Sequence, residues 1–193
     1  MALDLEIELR KTHPDYIVYV PRSIDRSSAD TGNEHFLVFD GPDGRLMAMW
    51  TQSSYEGEAD QRVVFARSPD RGHTWSSPRV IAGPGGGKHM ASWGFPLISG
   101  SGRIYAIWNQ YQGIDDVIHQ HTGTMEGCYS DDMGRTWSQP ADIPLKRSPH
   151  DHPDTSVPSN WIVWQKPIRD LRGRWFTGFS RWVSRANPST SSS

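Results

Sequence analysis

The sequence predicts an all-β protein built from repeated antiparallel sheets, and three observations lead there. Across 193 residues, 18 Gly and 14 Pro punctuate the chain, a density that interrupts any long helix. Hydrophobic residues make up only 35% of the composition, yet nine are Trp, large wedges suited to packing between sheets. Third, Ser68-Pro69-Asp70-Arg71-Gly72-His73-Thr74-Trp75 and Ser130-Asp131-Asp132-Met133-Gly134-Arg135-Thr136-Trp137 share the pattern S-x-D-x-G-x-T-W at an offset of 62. Both continue with Ser, one variable residue and Pro, so the chain repeats itself.

Taken in order, residues 1–29 read as a lead-in. Met1 to Thr12 alternates charge with Leu and Ile and lacks the apolar stretch of an export signal, so the expectation is a soluble chain with no signal peptide and no assigned compartment. His35 to Asp40 reads as a strand, and Gly44 to Gln52 as a second that leaves a Gly-Arg turn and alternates apolar residues. The same pair recurs as Gly94 to Ser99 and Gly102 to Gln110, offset by 58, and begins again as Trp161 to Gln165 and Gly173 to Phe179. In each full copy the S-x-D-x-G-x-T-W turn joins a third strand to a fourth, which makes the unit a four-stranded antiparallel sheet.

One such sheet cannot bury both faces, and sheets of this kind stack radially in a β-propeller. The Gly-Arg step precedes the octet by 24 residues in the first unit and 28 in the second, so a third octet is due at 197 to 201. The prediction is therefore a partial β-propeller of about two and a half blades over residues 30–182, followed by a polar tail at 183–193, with C-terminal blades needed for closure.

Charge restricts the partners. Twenty Lys and Arg against 22 Asp and Glu leave a net charge of −2, which calls for neither nucleic acid nor an anionic membrane. The single cysteine, Cys128, excludes an internal disulfide and reads as a small buried hydrophobe in the strand Met125 to Tyr129. Gly83 to His89 lacks the Gly and the Ser or Thr of a phosphate loop and reads as a flexible connector. His119-Gln120-His121 and His150-Asp151-His152 fall in turn-rich loops and read as polar decoration, so no metal and no cofactor is assigned. Of Trp50, Trp93, Trp108, Trp161, Trp164 and Trp182, most are assigned to inter-sheet core, with any exposed member free to stack on a sugar.

The octet resembles the Asp-box of sialidases and other BNR-repeat proteins, and two copies with matching flanks make that resemblance specific. Its residues serve the turn: Asp accepts backbone N–H bonds, Gly permits positive φ, and Trp packs between sheets. The resemblance covers residues 30–182 and extends to the loop from Trp50 to Asp60. It implies a sialidase-like propeller, six-bladed when complete, and an exo-glycoside hydrolase acting on terminal sugars of glycans. The alternative is a non-catalytic BNR propeller that binds glycan or protein.

Propeller chemistry sits on loops leaving the inner strands at one end of the blades, here Gln52 to Gln61. By resemblance that loop carries the acid that protonates the leaving glycosidic oxygen, with Asp60 the first candidate and Glu56 the second. The competing reading is a solvated acidic loop. Sialidases also grip the substrate carboxylate with three arginines, the first opening the innermost strand; Asn33 holds that position, eleven residues before Gly44. Arg22 is the nearest upstream substitute, though its spacing is off by a further eleven. The departure points away from sialic acid and toward a glycan whose hydroxyls suit Asn33, His35, Gln52 and Gln110. The family's Tyr nucleophile, its Glu partner and the remaining arginines belong to later blades.

Overall fold

A computed structural model describes Glu6, residues 14–85 and residues 88–187. Most of the lead-in (1–5 and 7–13), Gly86 and Gly87 of the connector, and the tail from Pro188 lie outside the described residues. Between His35 and Trp182 the described residues contain no helix. The first sheet has order β1 (Gly32–Asp40), β2 (Leu46–Ser53), β3 (Arg62–Arg67), β4 (Arg79–Ala82), all antiparallel. The second repeats it as β5 (Ala91–Ile98), β6 (Ile104–Tyr111), β7 (Gly123–Ser130), β8 (Ala141–Ile143).

The third unit is reduced to two short ladders. β9 (Trp161–Ile162) pairs with β12 (Ser180–Arg181), and β10 (Ile168–Arg169) pairs with β11 (Trp175–Phe176). It keeps the turn of the other two. Gly41, Ser99 and Asp170 each donate their N–H to the carbonyl of Arg45, Arg103 and Arg174, and each accepts from Gly44, Gly102 and Gly173, whose φ values are +76°, +86° and +76°. The Gly-Arg repeat is thus one turn made three times, because only glycine adopts that φ without strain.

The octets make the β3–β4 and β7–β8 turns with matching bonds. Ser68 Oγ accepts the Gly72 N–H at 2.7 Å, and Asp70 accepts the Thr74 N–H at 2.8 Å and its hydroxyl at 2.7 Å. The corresponding distances at Ser130 and Asp132 are 2.8, 2.8 and 2.6 Å. Both turns lie at the same end of the molecule and together line one surface cavity.

The first two sheets meet over Phe39, Met47, Met49, Val63 and Phe65 on one side and Ala91, Ile104, Ala106 and Trp108 on the other. Cys128 joins this core, and burial pushes its thiol up to about 12, which leaves it an inert thiol. A smaller cluster of Phe95, Trp161 and Val163 seats the third unit on the second sheet. On the outer face of the first sheet, Val18 and Tyr19 of the lead-in pack against Ala48, Trp50, Val64 and Ala66. Trp50, Trp108 and Trp161 are fully buried, whereas Trp164 is 56% exposed.

Candidate active site

The end opposite the octet turns gathers the starts of β1 and β5 with the loops leaving β2 and β6. Both inner strands slip register by one residue there, between Glu34 and Leu37 and between Ser92 and Phe95. These bulges hold His35 and Trp93 at φ +48° and +56° and bring their rings together at 5.2 Å. The Trp93 N–H donates to Thr51 Oγ1 at 3.0 Å, which ties the second bulge to the first sheet. Loop 54–61 and loop 112–122 are braced to each other, with His119 Nε2 2.6 Å from the Gly57 carbonyl and Gln61 donating to Gln120 Oε1 at 3.3 Å.

Several residues expected to face a substrate are instead consumed by the scaffold. Asn33 donates to the Asp30 carbonyl at 2.8 Å and accepts from Trp50 Nε1 at 2.8 Å and Gln52 Nε2 at 3.1 Å. Gln52, 4% exposed, accepts from Arg62 Nη2 at 2.9 Å, and Arg62 also reaches the Ala29 carbonyl. Gln110, 2% exposed, accepts from Trp108 Nε1 and donates to the carbonyls of His89, Met90 and Tyr111. These bonds have one cause: an amide at a strand end packed against the protein satisfies both its donor and its acceptor within it. Arg22 extends into solvent, its Nε 3.1 Å from Asp30 and its backbone N–H 3.3 Å from the same carboxylate.

His35 likewise turns inward. Its Nε2 is buried without a hydrogen-bond partner among the described residues, and burial lowers the imidazole to about 4, so the ring is neutral at pH 7. Asp60 closes its own loop, accepting the Ser54 N–H at 3.0 and 3.2 Å and the Ser54 hydroxyl at 3.1 Å. Glu56 and Glu58 are exposed on the same loop. The two histidines of the 119–121 pair separate, His119 to Gly57 and His121 into ring contact with Trp93 and Trp182.

The residue that sequence reasoning passed over is Glu34. It is half-buried opposite Thr51, immediately before the first bulge. Burial, and then the neighbouring Glu56 carboxylate, push its carboxyl up to about 7. A signal was present: a carboxylate between Asn33 and His35 at the start of β1, the end nearest an acidic loop. The arrangement supplies a carboxyl that retains part of its protons at neutral pH, near a second carboxylate, a donor for an oxygen leaving group.

Stacked antiparallel sheets with repeated turns at one end, and carboxyl groups at the opposite end, define an all-β repeat protein. The family model for the BNR repeat-like domain matches residues 44–190, and the chain belongs to that family. The fold is similar to that of a Hadza microbial sialidase, Hz136, at 18% identity and a TM-score of 0.60, over 79% of this chain and 33% of that one. It is similar also to a protein of unknown function from Dyadobacter fermentans, at 13% identity and a TM-score of 0.58, over 83% of this chain and 48% of that one. The chain thus spans between a third and a half of the length of these two structures. No curated protein matches the chain in sequence.

Proposed function

We propose that this chain supplies the leading two and a half blades of a sialidase-like propeller, six-bladed when complete, whose activity is hydrolysis of a terminal sugar from a glycan. In this reading the octets are Asp-box turns with an architectural role. The observation that carries the reading is the half-buried Glu34 carboxyl beside Glu56. Glu34 gives its proton to the glycosidic oxygen as the C–O bond breaks, and burial together with the Glu56 carboxylate strengthens its hold on that proton beforehand. Asp60 shapes the loop, and the nucleophile comes from blades beyond this arc.

The 193-residue chain alone is expected to be inactive on a fluorogenic sialoside, since removing a nucleophile and anchoring groups typically costs several powers of ten in rate. In a longer protein containing it, Glu34→Gln is expected to lower kcat by about 10²–10⁴ on substrates with poor leaving groups. Turnover by the isolated chain that Asp60→Ala abolishes would overturn this division of labour. A second reading, a non-catalytic propeller that binds glycan or protein, is favoured by Asn33 standing where an anchoring arginine is expected. It is the reading to keep if a longer protein containing the chain hydrolyses no glycoside, whereas turnover unchanged by Glu34→Gln removes only the role given to Glu34.

A further inference from the structure

On β3, Val63, Phe65 and Arg67 are alternate residues and point to one side of the sheet. Val63 and Phe65 are buried in the core between the first two sheets, and Arg67, paired across the ladder with the buried Met47, continues that row to the octet end. Arg67 is half-buried there. Its backbone N–H donates to Ser76 Oγ at 3.2 Å, but among the described residues its side chain makes no hydrogen bond and no ion pair. A cation partly withdrawn from water without a counter-charge destabilises the fold, and an apolar side chain at the same place would not.

Arg67 lines the cavity of about 390 Å³ between the two octet turns. Arg45, from the Gly-Arg turn of the first unit, and Arg135, from the second octet, line it too, and Met47, Trp75 and Met133 supply its apolar part. The acids of the octets are engaged elsewhere: Asp70 and Asp132 accept the Thr74 and Thr136 bonds inside their turns, and Asp131 is held by Arg103 at 2.7 and 2.8 Å. Among the described lining residues the one carboxylate is Asp43, 3.6 Å from Arg45 Nε. Arg135 commits one nitrogen, Nη1, to the Asp132 carbonyl at 3.2 Å. Three guanidinium groups against one carboxylate leave the cavity positive. The Trp75 ring is fixed by its Nε1 donating to the Gly72 carbonyl at 3.0 Å, which lowers the ordering cost of binding.

We propose that this cavity binds a small oxyanion carried on an apolar stem: a carboxylate, sulfate or phosphate that the guanidinium groups of Arg67 and Arg135 grip, with the stem against Met47, Trp75 and Met133. Its volume is that of a small-molecule pocket. The cavity lies at the octet end, away from Glu34 and Glu56, so it stands or falls independently of the hydrolase reading. Isothermal titration calorimetry on the 193-residue chain at low salt, with phenyl sulfate, phenyl phosphate and benzoate as probes, tests it. At least one probe is expected to bind one-to-one and more tightly than inorganic sulfate, phosphate or acetate, and the tightest identifies the anion. Arg67→Met, which matches the Met47 opposite it, and Arg135→Gln, at an exposed position, each weaken that probe about tenfold or more. Arg172→Gln, on an exposed turn of the third unit, leaves it unchanged.

With no anion present, Arg67→Met is expected to raise the thermal midpoint of the chain, because the unpaired cation is gone. A midpoint lowered by that substitution marks the guanidinium as a structural group and overturns the proposal. So does the absence of binding by all three probes, or binding that survives in both Arg67→Met and Arg135→Gln. Loss in Arg172→Gln equal to that in the cavity variants shows attraction by overall charge alone and overturns it as well, as does an inorganic anion that binds as tightly as the aryl probes.

Discussion

Glu34 and His35 are neighbours in sequence whose proton equilibria pull stability in opposite directions. Glu34, raised to about 7, holds its proton more tightly folded than unfolded, so its contribution is full below about 4.5 and is lost as pH rises to about 7. His35, lowered to about 4 by burial, contributes fully above about 6.5 and loses that as pH falls. His121, lowered by burial and by His119, acts with the same sign as His35. Between pH 4.5 and 6.5 these slopes oppose each other. Urea denaturation across that window is expected to show stability rising more steeply with pH in Glu34→Gln than in the parent, and less steeply in His35→Gln. Identical slopes in parent and Glu34→Gln would mean that the Glu34 carboxyl titrates as an ordinary exposed acid.

At the scale of the element, the two octet turns are alike in bonds and unlike in surroundings. Gly72 and Gly134 both have positive φ, +99° and +76°, so alanine strains either turn. A Cβ on Gly72 would meet its nearest neighbour, Leu46, at an ordinary 3.4 Å, while on Gly134 it would overlap the Phe65 ring. Phe65 belongs to the core between the first two sheets and is held edge-on by Trp137 at 5.2 Å, so it has little room to yield. Gly134→Ala is therefore expected to cost about 1–3 kcal/mol more than Gly72→Ala in chemical denaturation. Equal costs would show that the second turn is not wedged into the inter-sheet core.

For the whole molecule, the two outer faces of the stack are unequal. The lead-in covers the first sheet through Val18 and Tyr19, and Tyr16 packs edge-on to His73 at 4.9 Å. Nothing among the described residues does the same for the third unit, where Ile168 is 67% exposed, Phe176 50% and Leu171 fully exposed. An apolar face beside short, unpaired strand edges favours association. The chain is expected to self-associate in sedimentation velocity as concentration rises, and an Ile168→Asn/Phe176→Asn variant is expected to shift toward monomer. A parent chain that stays monomeric at every concentration reached contradicts this.

Much of the fold was legible before any coordinates, because turn chemistry is local. A Gly-Arg step needs φ above zero wherever it occurs, and a Ser and an Asp two residues apart satisfy the same N–H groups in each octet, so repeated residues implied repeated turns and strands between them. The loop from Gln52 to Gln61 was placed at the correct end of its sheet for the same reason. Which polar groups remain available to a ligand was not legible. Asn33, Gln52 and Gln110 have the right chemistry for hydroxyls, yet their partners are Trp50, Arg62 and the carbonyls of His89 and Met90, brought near only by strand pairing and sheet stacking. Glu34 stood out only once burial and the approach of Glu56 were known, since solvation and a neighbouring charge, not residue type, set a carboxyl's affinity for its proton.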